Sequence, residues 1–158
     1  MKQLLGALAL LSLAVSAHAA TINVGVVGTA AETNNWPATE NPTAAIDGAG
    51  QKYLNFGEFN TGIIVSASAP TAVSMTLTTA NDAEPRDPAS YVLMGTNNAI
   101  GAGPFETADF SFIASGGLAL PSTRNAGGAA ALDPANQQTV TFANANSNSS
   151  YLIYFPTI

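Results

Sequence analysis

Five carboxylates, Asp82, Glu84, Asp87, Glu106 and Asp109, fall within one short region of the chain, and Arg86 stands among the first three. Two carboxylates at a defined separation are what glycoside hydrolysis needs, so these acids are the first candidates for chemistry. Their sequence setting argues against that use. Asn81-Asp82 can turn the backbone through side-chain hydrogen bonds, and Pro85 and Pro88 fix φ and deny the loop a helix. Acids in such loops are normally solvated, and nothing marks one of them as buried or tuned. No catalytic residue is assigned, and the chain is read as a non-enzyme. Arg86 keeps two readings: it ties the loop together by pairing with Asp87 or Asp82, or it contacts a ligand. The first is favoured, because an arginine flanked by carboxylates usually finds its partner within the protein.

What is missing narrows the chemistry further. The 158 residues contain no cysteine and one histidine, His18. That histidine lies in an N-terminal stretch with the pattern of a secretory signal. Lys2 gives the positive start, Leu4 to Val15 the apolar run, and Ala17-His18-Ala19 the small-x-small cleavage pattern. The protein is therefore expected to be exported, to the periplasm, the cell surface or the medium, without membrane insertion after cleavage. Removing 19 of the 158 residues leaves 139, about one domain, 20–158. That domain has neither thiol nor imidazole, which excludes Ser-His-Asp and Cys-His nucleophiles, zinc fingers and disulfides. Any metal must be a hard cation held by oxygen, calcium before others. Lys52, Arg86 and Arg124 face ten acidic residues, a balance that cannot neutralise a phosphate backbone and argues against nucleic acid.

The elements that must position these groups are short strands. Ile22, Val24 and Val26 alternate with other residues, as do Val73, Met75 and Leu77 with Ser74, Thr76 and Thr78. Strands are expected over Ile22–Val26, Lys52–Phe56, Gly62–Ser66, Ala72–Thr79, Ser90–Thr96, Asp109–Ala114, Gln138–Ala143 and Ser150–Phe155. Asn34-Asn35-Trp36-Pro37 makes a loop holding the only tryptophan. Asn41 to Ile46 reads as a helical turn with Asn41 as its cap and Pro42 first. Asp47-Gly48-Ala49-Gly50 then closes a tight turn. Short strands separated by turn signals predict an all-β antiparallel sandwich or jelly roll.

Several of these residues also carry a likeness. Asn41-Pro42-x-x-Ala45-Ile46-Asp47-Gly48 followed by Lys52-Tyr53-Leu54-Asn55-Phe56 resembles the opening of a galactose-binding-like domain, the discoidin or coagulation factor 5/8 type C superfamily. Leu77 to Asp82, Arg86 to Tyr91, Gly95-Thr96-Asn97, Ile113 to Pro121, Arg124-Asn125 and Tyr151 to Thr157 continue it in order. The subgroup most resembled is bacterial and exported, often with a PEP-CTERM sorting tail. The likeness implies an eight-stranded jelly-roll sandwich whose loops at one end bind carbohydrate or another extracellular surface component. It also implies a further glutamate-containing strand after Phe155-Pro156-Thr157, whereas the sequence reaches Ile158. On that count the sandwich is expected to lack its last strand.

Two sites follow from the likeness. A structural calcium ion is implied at the Asp47 turn, with carbonyls of Ala44, Gly50 and Lys52 beside the Asp47 carboxylate. Gly50 stands where a polar side chain is common, and the late glutamate is absent. A sugar surface needs an aromatic platform and polar groups for the hydroxyls, and Trp36, Tyr53, Asn60 and Arg86 are its candidates, with Asn34 and Asn35 nearby. A lone tryptophan in a small domain is more often part of the core, and Tyr53 in an expected strand is read as packed. The alternative to a binding module is a structural or adhesive surface subunit that accepts a donor strand from a neighbour.

Overall fold

The computed structural model describes residues 21–28, 35–67 and 71–158. The expected signal segment and Asn34 lie outside them. The described chain is an all-β sandwich of eight strands: β1 Thr21–Val26, β2 Thr61–Ser66, β3 Ser74–Thr78, β4 Ser90–Thr96, β5 Phe105–Glu106, β6 Ser111–Gly117, β7 Gln137–Thr141 and β8 Ser150–Phe155. Among the described residues helix is confined to single 3-10 turns at Pro42–Ala45, Glu84–Arg86, Thr107–Asp109 and Pro134–Asn136. The first is built as its sequence dictates. Asn41 Oδ1 accepts the Thr43 N–H at 3.0 Å, with Pro42 opening the turn.

Six strands form one sheet in the order β5-β1-β2-β8-β4-β6, and β3 pairs with β7 in a second, two-stranded sheet. β2, β4 and β8 sit in the interior of the large sheet and carry the near-continuous apolar runs, Gly62 to Val65, Tyr91 to Met94 and Tyr151 to Phe155. Both of their faces are covered, and so both must be apolar. Ile22, Val24, Val26, Ile64, Met94 and Leu152 pack with Phe105 and Phe110 on one face. Tyr91, Leu93, Tyr151 and Ile153 face the small sheet on the other, against Met75, Val140 and Phe142. The small sheet has a single covered face and alternates accordingly. Met75 and Leu77 are half-buried, while Thr76 and Thr139 are exposed and join hydroxyls at 2.8 Å.

Four expectations need correction. The sheet is not purely antiparallel, because β1 runs parallel to β2 with Asn23 beside Thr61 and Val26 beside Ile64. The chain between them is long enough for the crossover that parallel pairing demands. Lys52–Phe56 is not a strand. Its backbone bonds to other irregular chain, Leu54 N–H to Glu40 O at 3.1 Å and Phe56 N–H to Asn35 O at 2.8 Å, while Asn55 turns it by accepting the Gly57 N–H at 2.9 Å. The strand expected from Asp109 starts at Ser111, because Asp109 closes a 3-10 turn by accepting the Glu106 N–H at 2.9 Å. Pro85 excludes an α-helix yet opens a 3-10 turn at Glu84–Arg86, since a proline early in a turn gives up no needed donor.

The irregular segment from Asn35 to Phe56 lies over β1 and β2, on the same face as the small sheet. Gly25 makes this possible. A methyl group there would collide with the Pro42 ring and touch Trp36, so this close approach of segment to strand admits only glycine. The layer over the large sheet thus has two unlike parts, an irregular segment over β1 and β2 and a two-stranded sheet beyond it.

Candidate functional site

Trp36 and Tyr53 meet edge to face with ring centroids 6.1 Å apart. Tyr53 is anchored from the other side as well. Its hydroxyl donates to Gly62 O at 3.0 Å and accepts from Asn55 Nδ2 at 2.7 Å. Burial pushes its pKa up to about 12, although the bond from Asn55 pulls the other way. Asn55 in turn accepts from Asn35 Nδ2 at 3.1 Å and from Gly57 N–H, and donates to Asn23 O at 3.2 Å. A ladder of asparagine amides therefore fixes the loop that follows.

That loop, Phe56-Gly57-Glu58-Phe59-Asn60, is held in an unusual shape. Glu58 and Asn60 both adopt positive φ, +59° and +54°, a conformation asparagine tolerates and one that costs free energy at Glu58. The Asn60 carbonyl accepts the Asn23 N–H at 2.9 Å, and Phe59 N–H bonds to Gly57 O at 2.7 Å. On this loop Phe56 and Phe59 stand 59% and 55% exposed. Sequence reasoning misses both, because Lys52–Phe56 reads as a strand and Phe59 falls in no expected element. The signal available was the run of glycine, glutamate and asparagine around them, which favours a turn over a strand.

Arg86 belongs elsewhere. Its guanidinium lies 3.0 Å from Asp82 Oδ2, and Lys52 Nζ reaches the same oxygen at 2.5 Å while also approaching Glu40 at 3.5 Å. The Lys52 hydrogen bond, with the charges of Lys52 and Arg86, holds the Asp82 carboxyl below its ordinary range. Asp87 pairs instead with Arg124, as a two-pronged bond of 3.0 and 2.8 Å in which both side chains are largely buried. Arg124 also donates to Pro121 O at 2.7 Å, and the Asp87 bond raises its pKa. Of the two partners expected for Arg86, Asp82 is the one it takes.

No protein-family model, curated protein or solved structure matches this chain. What the site can do must therefore be argued from its own chemistry. Of the four residues expected to form a sugar surface, Trp36 and Tyr53 are in contact and Asn60 is on the loop tethered beside them. Arg86 is not with Trp36 and Asn60. It borders, with Tyr53, a cavity of about 520 Å³ between the large sheet and the layer above it. Ala44, Gly50 and Lys52 also line that cavity, whereas Asp47 does not.

At the Asp47 turn, Oδ1 accepts the Ala49 N–H at 2.8 Å and Gly48 takes φ +75°, so the carboxylate closes its own turn. Calcium takes six to eight oxygens. Asp47 supplies one carboxylate, and among the described residues no three Asp, Glu, His or Cys side chains gather as a metal group. The donors are of the right kind for calcium and depend on backbone carbonyls for their number. Among the described residues no helix is long and apolar enough to cross a membrane.

Proposed function

We propose that this chain is an exported, non-enzymatic binding module with galactose-binding-like jelly-roll topology, which holds carbohydrate or another extracellular surface component at the loop end around Trp36, Tyr53 and Phe56–Asn60. One observation carries the reading: Phe56 and Phe59 stand exposed on a loop that Asn55 and the Asn23 backbone tether in place. Sugar rings present apolar C–H faces that stack on aromatic rings, and their hydroxyls need donors and acceptors of the kind the exposed Asn60 amide on the same loop supplies in pairs. The domain builds this surface at a cost in backbone strain, which suits a site more than a connector. The carboxylates nearest the cations are committed to ion pairs, so they are poorly placed to trade protons.

Affinity electrophoresis through gels containing a panel of bacterial and plant polysaccharides tests it. Wild-type protein is retarded by at least one of them, and Phe56→Ala and Phe59→Ala restore free migration without lowering the melting temperature. Free migration of the wild type throughout the panel overturns the reading. A second reading, an adhesive or structural surface subunit, is favoured by a separate observation: among the described residues nothing pairs with the outer edge of β3, which lies beside the cavity.

A further inference from the structure

Among the described residues β3 has a hydrogen-bonded neighbour on one side only. Its register with β7 places Met75 opposite Val140 and Leu77 opposite Gln138. In the same register Phe142 N–H donates to Val73 O at 3.0 Å and Thr79 N–H to Asn136 O at 2.9 Å. Hydrogen-bonded pairs alternate along an antiparallel ladder, so residues 73, 75, 77 and 79 bond to β7. Ser74, Thr76 and Thr78 therefore direct their N–H and C=O groups away from it.

The cavity lies along that free side. Every residue of β3 borders it and no residue of β7 does. Ile63 and Val65 of β2 with Tyr151, Ile153 and Phe155 of β8 form its floor, and the stretch from Gly48 to Leu54 forms the far wall. An apolar trough thus runs beside a row of unpaired backbone donors and acceptors. Its volume falls in the range of sites that enclose a ligand.

Only one class of occupant answers both features. An extended polypeptide meets the backbone groups of alternate β3 residues at their ~6.7 Å repeat and lowers every second side chain onto the floor. An acyl chain would fill the trough and leave the edge unpaired, and a sugar would do the reverse. We propose that the trough accepts a strand from another protein, paired to β3 through Ser74, Thr76 and Thr78, with branched apolar residues at alternate positions. The carboxylate excess of the domain favours a neutral or basic strand. This inference rests on the second reading above, which self-association of the protein without a response to peptide would leave standing, and its test leaves the loop end of the first reading untouched.

The probe is a synthetic amide, Lys-Val-Thr-Val-Thr-Val-Lys, added to the purified protein and compared with the same peptide carrying proline for its central valine. The expected result is a rise of several degrees in melting temperature with the first peptide and none with the second. Amide hydrogen exchange at Ser74, Thr76 and Thr78 slows at least tenfold in the same complex. Thr76→Pro removes one outward N–H that β7 does not use and abolishes the shift. The exchange measurement, made on the wild type, decides the matter if that variant folds poorly. Equal shifts with both peptides, no slowing at the three amides, or a shift with laurate alone would overturn the proposal. So would self-association of the protein with no response to peptide.

Discussion

Replacing Tyr53 with phenylalanine tests how the irregular segment is fastened to the sheet. The ring and its contact with Trp36 survive, while the hydroxyl that donates to Gly62 O at 3.0 Å and accepts from Asn55 at 2.7 Å is lost. A hydrogen bond contributes about 1 kcal/mol net, and a polar group stranded by its loss costs about 1–3 kcal/mol. Asn55 Nδ2 keeps Asn23 O as a partner, and Gly62 O keeps the Gly25 N–H in the parallel ladder of β1 and β2, so the loss is that of two hydrogen bonds with no group stranded. The sum is about 2 kcal/mol, or roughly 4–8 °C in melting temperature for a domain of this size. Alkali supplies a second arm. An unfolded tyrosine ionises near pH 10, whereas Tyr53 holds its proton to about 12. Between those values the folded state binds more protons than the unfolded, so stability falls as pH rises. Two units correspond to about 3 kcal/mol, and this part of the alkaline loss disappears in Tyr53→Phe. Urea unfolding at pH 8, 10 and 11.5 measures both arms. A variant as stable as wild type at pH 8 and equally sensitive to alkali would refute the assignment of Tyr53 as the fastening.

Arg124→Lys keeps the charge but not the two-pronged bond to Asp87; a loss of about 2 kcal/mol is expected by urea unfolding, discounted from the cost of breaking a fully buried pair because some solvent reaches both groups. Asp82 is held below its ordinary range, so its contribution is complete at neutral pH and is lost as pH falls below about 4 and through its folded value. Asp82→Asn accordingly makes the acid limb of the stability curve shallower, a change visible in melting temperatures between pH 2 and 5. If calcium occupies the Asp47 turn, millimolar calcium raises the melting temperature over that in chelator, and Asp47→Ala removes the increase. Identical melting with and without calcium rejects that site.

Much of the scaffold was legible because its strands obey simple burial. β4 and β8 could be bounded to the residue, since turn-forming residues stand just outside them, Pro88 and Asn97 about β4 and Asn148 and Pro156 about β8. The Asn41-Pro42 turn was legible for a different reason: the cap and the proline each have one physical role there. Lys52–Phe56 failed because its aliphatic and aromatic residues imitate a strand, while Asn55, whose amide bends the chain, looks like any polar residue in an alternating pattern. The parallel pairing of β1 with β2 was hidden, since alternation reports burial and not direction. At the site, Arg86 found Asp82 because the two are local in sequence. Arg124 and Asp87 lie far apart along the chain and meet only through the fold, so no spacing announced them. Phe56 and Phe59 escaped because aromatic residues are read as core until the backbone around them is known.

The place of β8 in the large sheet has a consequence for how the protein is made. It lies between β2 and β4, so the two older portions of the sheet have no direct seam and are joined only when residues 150–155 arrive. A nascent chain stalled before residue 150 would leave the facing edges of β2 and β4 open and lack Tyr151, Leu152 and Ile153 from the two apolar layers. Joining the two portions is a late step between residues far apart in the chain, Gly62 with Tyr154 and Val92 with Tyr154, the kind of non-local pairing that slows folding.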